Sequence, residues 1–60
     1  MSEQAIKIMC FALAEYARIE AMKAANTVRT MNGEALAYSE ESFNYAANTL
    51  DQLALEVINQ

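Results

Sequence analysis

Apolar residues recur at helical spacing along the first half of the chain, from Ala5 to Met31. Steps of three and four residues place one stripe of them on a single helix face: Ile6, Cys10, Leu13, Ala17, Ala21, Ala24, Val28 and Met31. A smaller set projects from roughly the opposite side and consists of Ile8, Phe11, Ile19 and Met22. Because one short partner helix cannot cover both sides, we expect part of this helix to meet another molecule.

The ends of this first helix are marked by capping residues. Ser2 is a good N-cap, and the carboxylate of Glu3 is favourably placed beside the positive N-terminus of the helix. Asn32 and Gly33 form the stop, since a glycine after the last turn adopts the left-handed conformation that closes a helix. The sequence therefore predicts a helix over about residues 3–31.

The second half of the chain has a one-sided apolar pattern. Large residues recur every seven positions at Leu36, Phe43, Leu50 and Val57, and the apolar positions between them hold Ala46, Ala47, Leu53 and Ala54. Large side chains separated by small ones are what close helix packing requires. We therefore expect a second, amphipathic helix that ends near residue 58.

The start of this second helix has two candidate positions. Ser39 is a natural N-cap, and two glutamates follow it in the first turn. Tyr38 and Phe43 also occupy the two positions of a hydrophobic staple around that cap. These signals favour a helix over 39–58, whereas the alternative start at Glu34 has only its acidic charge.

The predicted fold is all-α: a single domain over residues 1–60, built as an antiparallel two-helix hairpin. A chain of this length buries only about 60% of the surface that its unfolded form exposes, so a monomer would be marginal. Cys10 is the only cysteine and histidine is absent, which leaves self-association as the source of further stability. We expect a dimeric four-helix bundle or a higher oligomer, with Cys10 as a small buried thiol in a reducing compartment.

The net charge of −4 argues against the basic surface that binds nucleic acid. It is also unevenly distributed along the chain. Residues 1–31 hold three acidic and four basic side chains, whereas residues 32–60 hold five acidic side chains and no basic one. Opposite charges on the two helices suit antiparallel docking, although solvated outer faces would give the same pattern.

The sequence offers little for catalysis, and we expect a non-enzymatic protein without cofactor or metal. Cys10 has no histidine that would activate it as a nucleophile. Glu15 is the most unusual carboxylate, because it lies between apolar positions on the smaller side of the first helix. Either it is a buried acid or the acceptor for an arginine of a partner, or it is partly exposed and pairs with Arg18 or a lysine three or four residues away.

Function is expected to lie in binding to another protein, as an inhibitor, adaptor or regulator. The candidate partner-binding residues are Ile8, Phe11, Glu15, Tyr16, Ile19 and Met22, because methionine and aromatic residues are enriched at such contacts. One alternative is an oligomer that sequesters a small anionic ligand such as a nucleotide, and another is an RNA-binding hairpin. The ligand would be held by Arg18, Lys23 or Arg29 together with a tyrosine, and RNA would contact a row formed by Lys7, Arg18 and Arg29.

The location of the protein is a further expectation. No uncharged apolar run approaches the 18 or so residues of a membrane span, and the first residues lack the basic segment of a signal peptide. We therefore expect a cytoplasmic protein. Small chains of this kind are often encoded by phages or plasmids, which is an association with size alone.

Overall fold

The computed structural model describes residues 2–59 and contains two helices, α1 (Glu3–Met31) and α2 (Glu40–Ile58). They pack against each other in antiparallel fashion, which confirms the predicted all-α hairpin. The hairpin measures 47 × 17 × 8 Å, so it is two helices wide and one helix thick. Its two broad faces therefore have no layer of structure above or below them.

The caps of α1 are those that the sequence predicts. The Ser2 hydroxyl oxygen accepts a hydrogen bond of 3.0 Å from the backbone N–H of Ala5. At the other end Gly33 has φ +73°, and its N–H donates to the carbonyl of Thr30 at 3.1 Å. The N–H of Glu34 donates to the carbonyl of Arg29 at 2.8 Å, which completes a Schellman motif.

Gly33 is expected to be sensitive to substitution because of its backbone conformation alone. A Cβ added at this position would meet nothing within 4 Å, so Gly33→Ala costs only the strain of positive φ. We expect a loss of about 1 kcal/mol and a melting temperature lower by roughly 4–8 °C, measured by circular dichroism at fixed protein concentration. Gly33→Asn should lose less, since asparagine tolerates this conformation. Equal melting temperatures for all three proteins would contradict the assignment.

The start of α2 follows the preferred prediction, with Ser39 at the N-cap and Glu40 as the first helical residue. Ser39 acts there through its backbone, because its carbonyl accepts from the N–H of Ser42 at 3.0 Å while its side chain makes no capping bond. The alternative start at Glu34 is wrong. The backbone N–H of Glu34 closes α1, so this residue lies within the C-terminal motif of one helix and does not begin the next.

The connection between the helices is held by a side chain that the capping signals do not reveal. The amide nitrogen of Asn26 donates to the carbonyl of Tyr38 at 2.9 Å, and its amide oxygen accepts from the N–H of Tyr38 at 2.9 Å. Both backbone groups of Tyr38 are therefore satisfied by α1 immediately before α2 begins. This pair of hydrogen bonds fixes the position along α1 at which α2 begins.

The helix–helix interface is narrow. Within residues 2–59 the buried apolar residues are Ala5, Ile8 and Ala46. Half-buried side chains extend the contact on both helices and comprise Ala12, Glu15, Ile19 and Met22 of α1 with Phe43, Leu50, Leu53 and Val57 of α2. The heptad prediction therefore holds within α2, but Leu36 lies in the connection and is exposed. Leu36 does not join the interface because the chain is still in irregular structure at that point.

Candidate interaction surface

One broad face of the hairpin carries an apolar groove between the two helices. Two adjoining depressions of about 310 and 330 Å³ meet at Met9, Ala12 and Leu50. We call this surface the groove face, and its residues are Ile8, Met9, Ala12, Leu13 and Tyr16 of α1 with Leu50, Leu53, Ala54, Val57 and Ile58 of α2. All except Tyr16 are aliphatic or thioether side chains, so the groove matches an apolar partner.

The groove face changes character along the length of the hairpin. Met9, Leu13 and Tyr16 form a line along α1 in steps of four and three residues, at the end of the hairpin away from the connection. The same steps continue the line through Glu20, Lys23 and Thr27, all exposed, toward the connection. On α1 the groove face is thus apolar in the open half of the hairpin (residues 5–16 and 50–58) and polar in the loop half, whereas on α2 the same steps place the exposed Asp51 in line with Ala54 and Ile58. The sequence analysis named Tyr16 as a partner-binding residue but placed Leu13 in the longer stripe, so it did not join Met9, Leu13 and Tyr16 into one line.

A second apolar surface lies on the side of α1 that faces away from α2. We call it the outer stripe, and it comprises Ile6, Cys10, Ala17, Ala21, Ala24, Val28 and Met31, all exposed. The prediction that Cys10 is a buried thiol is therefore wrong for this chain. Its position two residues after the buried Ile8 turns it by about 200° on the helix, away from the interface.

The structure turns the smaller apolar side of α1 toward α2 and leaves the longer stripe exposed. Ile8 is buried, and Ile19 and Met22 are half-buried toward α2, so these predicted partner-binding residues serve the hairpin itself. Phe11 and Tyr16 are more than half exposed. Tyr16 lines the groove face, whereas Phe11 lies on the opposite flank of α1 with the Lys7 ammonium 5.8 Å from its ring centre. The longer stripe, which carried no predicted partner residue, is the one left uncovered.

Glu15 follows the simpler of its two expected roles. Its carboxylate accepts from the Arg18 guanidinium at 2.9 and 3.2 Å. Only 16% of its side-chain surface is exposed, because its position in the repeat turns it toward α2. Glu15 is therefore a member of an ion pair within α1, placed at the edge of the helix–helix interface.

The basic residues do not form a free cationic row. Arg18 is paired with Glu15, and the Lys23 ammonium lies 3.3 Å from a carboxylate oxygen of Glu20. Lys7 lies over an aromatic ring, and Arg29 occupies the last turn of α1, where positive charge is favoured. Because carboxylates pair with Arg18 and Lys23, less positive charge is left to bind the phosphates of a nucleic acid or a nucleotide.

The described residues also bear on metal binding and on membrane insertion. Within residues 2–59 no three side chains of the metal-binding types lie close enough together to hold an ion. Neither helix combines the length and apolar character needed to cross a bilayer in that part of the chain. Comparison with protein-family models, curated proteins and solved structures gave no match.

Proposed function

We propose that this chain is a small non-enzymatic helical protein that associates with a second copy of itself and acts by binding another protein. The observation that carries the proposal is the mismatch between composition and burial. The chain is 55% hydrophobic, yet only three apolar residues are buried in the described part of the hairpin. Apolar surface of this extent on a small chain is typical of protein interaction sites.

The size of the exposed surface supports association. The chain has an accessible surface of 4678 Å². A compact protein of 6.7 kDa is expected to expose about 3,900 Å², so the hairpin exposes roughly 800 Å² more. This excess equals the roughly 800 Å² that each partner buries in an interface of standard size. One interface of standard size would therefore remove the excess surface of each chain.

The presence of two separate apolar surfaces supports binding to a second kind of molecule. A copy seated on the groove face would leave the outer stripe of each α1 uncovered, because that stripe lies on a different side of the helix. The outer stripe is convex and consists of small and aliphatic side chains, which suits a protein surface better than a small ligand, since ligand sites are concave. The proposed mechanism is steric occupation of a partner's surface.

Self-association is tested by the solution mass. Light scattering after gel filtration at micromolar concentrations should give twice the 6.7 kDa of the chain. The helical circular dichroism signal and the melting temperature should both fall on dilution, because folding is coupled to association. A helical species of single-chain mass whose melting temperature is independent of concentration would overturn the proposal.

Binding to another protein is tested by quantitative affinity capture with a matched pair of variants. Ile6 on the outer stripe and Leu55 on α2 are exposed by 50% and 51%, so an aspartate at either position keeps access to water. A partner bound by the wild-type chain and by Leu55→Asp, but lost with Ile6→Asp, would identify the outer stripe as its binding surface. Capture of the same proteins in equal amounts by both variants would exclude that surface.

A further inference from the structure

We infer that the groove face is covered by a second copy of the chain that points in the same direction, so that α1 of each copy lies over α2 of the other. This inference rests on the proposed self-association and specifies its surface and orientation. In this arrangement the two-fold axis runs along the helices, and the two connections lie at the same end of a four-helix bundle. In the opposite arrangement the axis crosses the helices, and the connections lie at opposite ends.

The uneven polarity of the groove face decides between these arrangements. With both copies pointing the same way, the apolar groove lining in the open half of one copy meets the same lining of the other, and the two loop halves meet each other. With opposite directions and full overlap, Glu20 and Lys23 would be placed over the Met9 to Tyr16 line of the other copy. Covering charged side chains with apolar ones removes their water without replacement, which is unfavourable.

An opposite arrangement could avoid this cost only by sliding until the open halves alone overlap. The broad face of the hairpin measures 47 by 17 Å. Overlap of half its length would bring only about half of that face into contact with the other copy. The same-direction arrangement brings the whole groove face into contact without placing Glu20 and Lys23 over the Met9 to Tyr16 line.

The charges of the helices favour the same arrangement. The α1 range holds four basic and three acidic residues, whereas α2 holds four acidic residues and no basic one. With both copies in one direction, each acidic α2 faces the α1 of the other copy, and Lys23 comes level with Glu40 of the second copy. In the opposite arrangement α2 faces α2, and like charges are brought together.

The orientation is measured by pulsed electron–electron double resonance between spin labels. The Cys10→Ser background removes the native thiol, and Ala35→Cys places one label in the exposed connection of each copy. The same-direction dimer predicts roughly 20–30 Å between the two labels, which is two helix layers plus the label arms. The opposite dimer predicts about 45 Å or more, the length of the hairpin. A label at Asn48, near the middle of α2, is the control, because either orientation keeps that pair close together.

Three outcomes are distinguishable. Short distances at both Ala35 and Asn48 support the inferred arrangement. A short distance at Asn48 with a long one at Ala35 overturns the orientation but leaves the proposed self-association intact. Absence of dipolar coupling at both sites, together with a single-chain mass for the labelled proteins, overturns the self-association and with it the proposed function.

Discussion

Leu13→Glu is expected to dissociate the dimer and to raise its dissociation constant by roughly 100-fold or more. Leu13 lines the groove face and is 69% exposed in the hairpin, so a second copy would bury most of it. Complete burial of one leucine contributes about 1.5–3 kcal/mol, and a symmetric dimer contains the site twice. Because each 1.4 kcal/mol corresponds to about a tenfold change, the loss of both leucines reaches the stated factor.

Leu55→Glu is the matched control for this prediction. It introduces the same substitution at an exposed leucine of α2 that does not line the groove. Sedimentation equilibrium of the wild-type chain and both variants would give the three dissociation constants, and circular dichroism at high concentration would report helix content. Equal weakening by Leu13→Glu and Leu55→Glu would show that the second copy does not sit on the groove face.

Asn26→Ala is expected to loosen the hairpin where its two helices are joined. The substitution removes both hydrogen bonds to the backbone of Tyr38, at a cost of about 1–2 kcal/mol for a partly exposed pair. Part of this loss is offset by the better helix propensity of alanine, by roughly 0.5 kcal/mol. Chemical denaturation at fixed protein concentration measures the net change in the free energy of unfolding.

Asn48→Ala separates these two effects. Asn48 lies at an exposed position within α2, so its replacement gains the same helix propensity away from the connection. The free energies of unfolding of the two variants should differ by about 1–2 kcal/mol, with Asn26→Ala the less stable. If the two variants are equally stable, the bonds between Asn26 and Tyr38 do not hold the connection in place.

The dimer prediction also explains how a chain with so small a core would remain folded. A 60-residue hairpin with three buried apolar residues has little burial to set against the conformational entropy that folding removes. In a dimer that covers both groove faces, the apolar side chains of each groove would contact helices of both copies. Folding and binding are then a single equilibrium, and the measured stability depends on protein concentration.

The positions of the helices were predictable because the interactions that end a helix are local. Ser2 bonds to the N–H of Ala5 three residues away, and Gly33 supplies a backbone conformation that few other residues adopt. The start of α2 after Ser39 was predictable for the same reason, since its signals lie within five residues. Absence of proline and abundance of alanine then made the intervening residues helical.

The candidate site was predictable only in part. The sequence showed that α1 is apolar on more than one side, and the structure leaves apolar residues exposed there. It did not show that Ile8 would be buried and Cys10 exposed, because both sides of α1 offer apolar residues at helical spacing. Which side meets α2 depends on how large and small side chains of the two helices fit together, and a periodic pattern contains no information about that fit.

Local rules thus account for two helices, their ends and the surplus of apolar surface, because each depends on neighbours within a turn or two. Only the packed hairpin decided which side of α1 is covered, how Asn26 holds the connection and where the groove opens. Those features arise from contacts between residues distant along the chain, such as Ile8 and Val57 around one depression, whose geometry is set when the two helices are brought together.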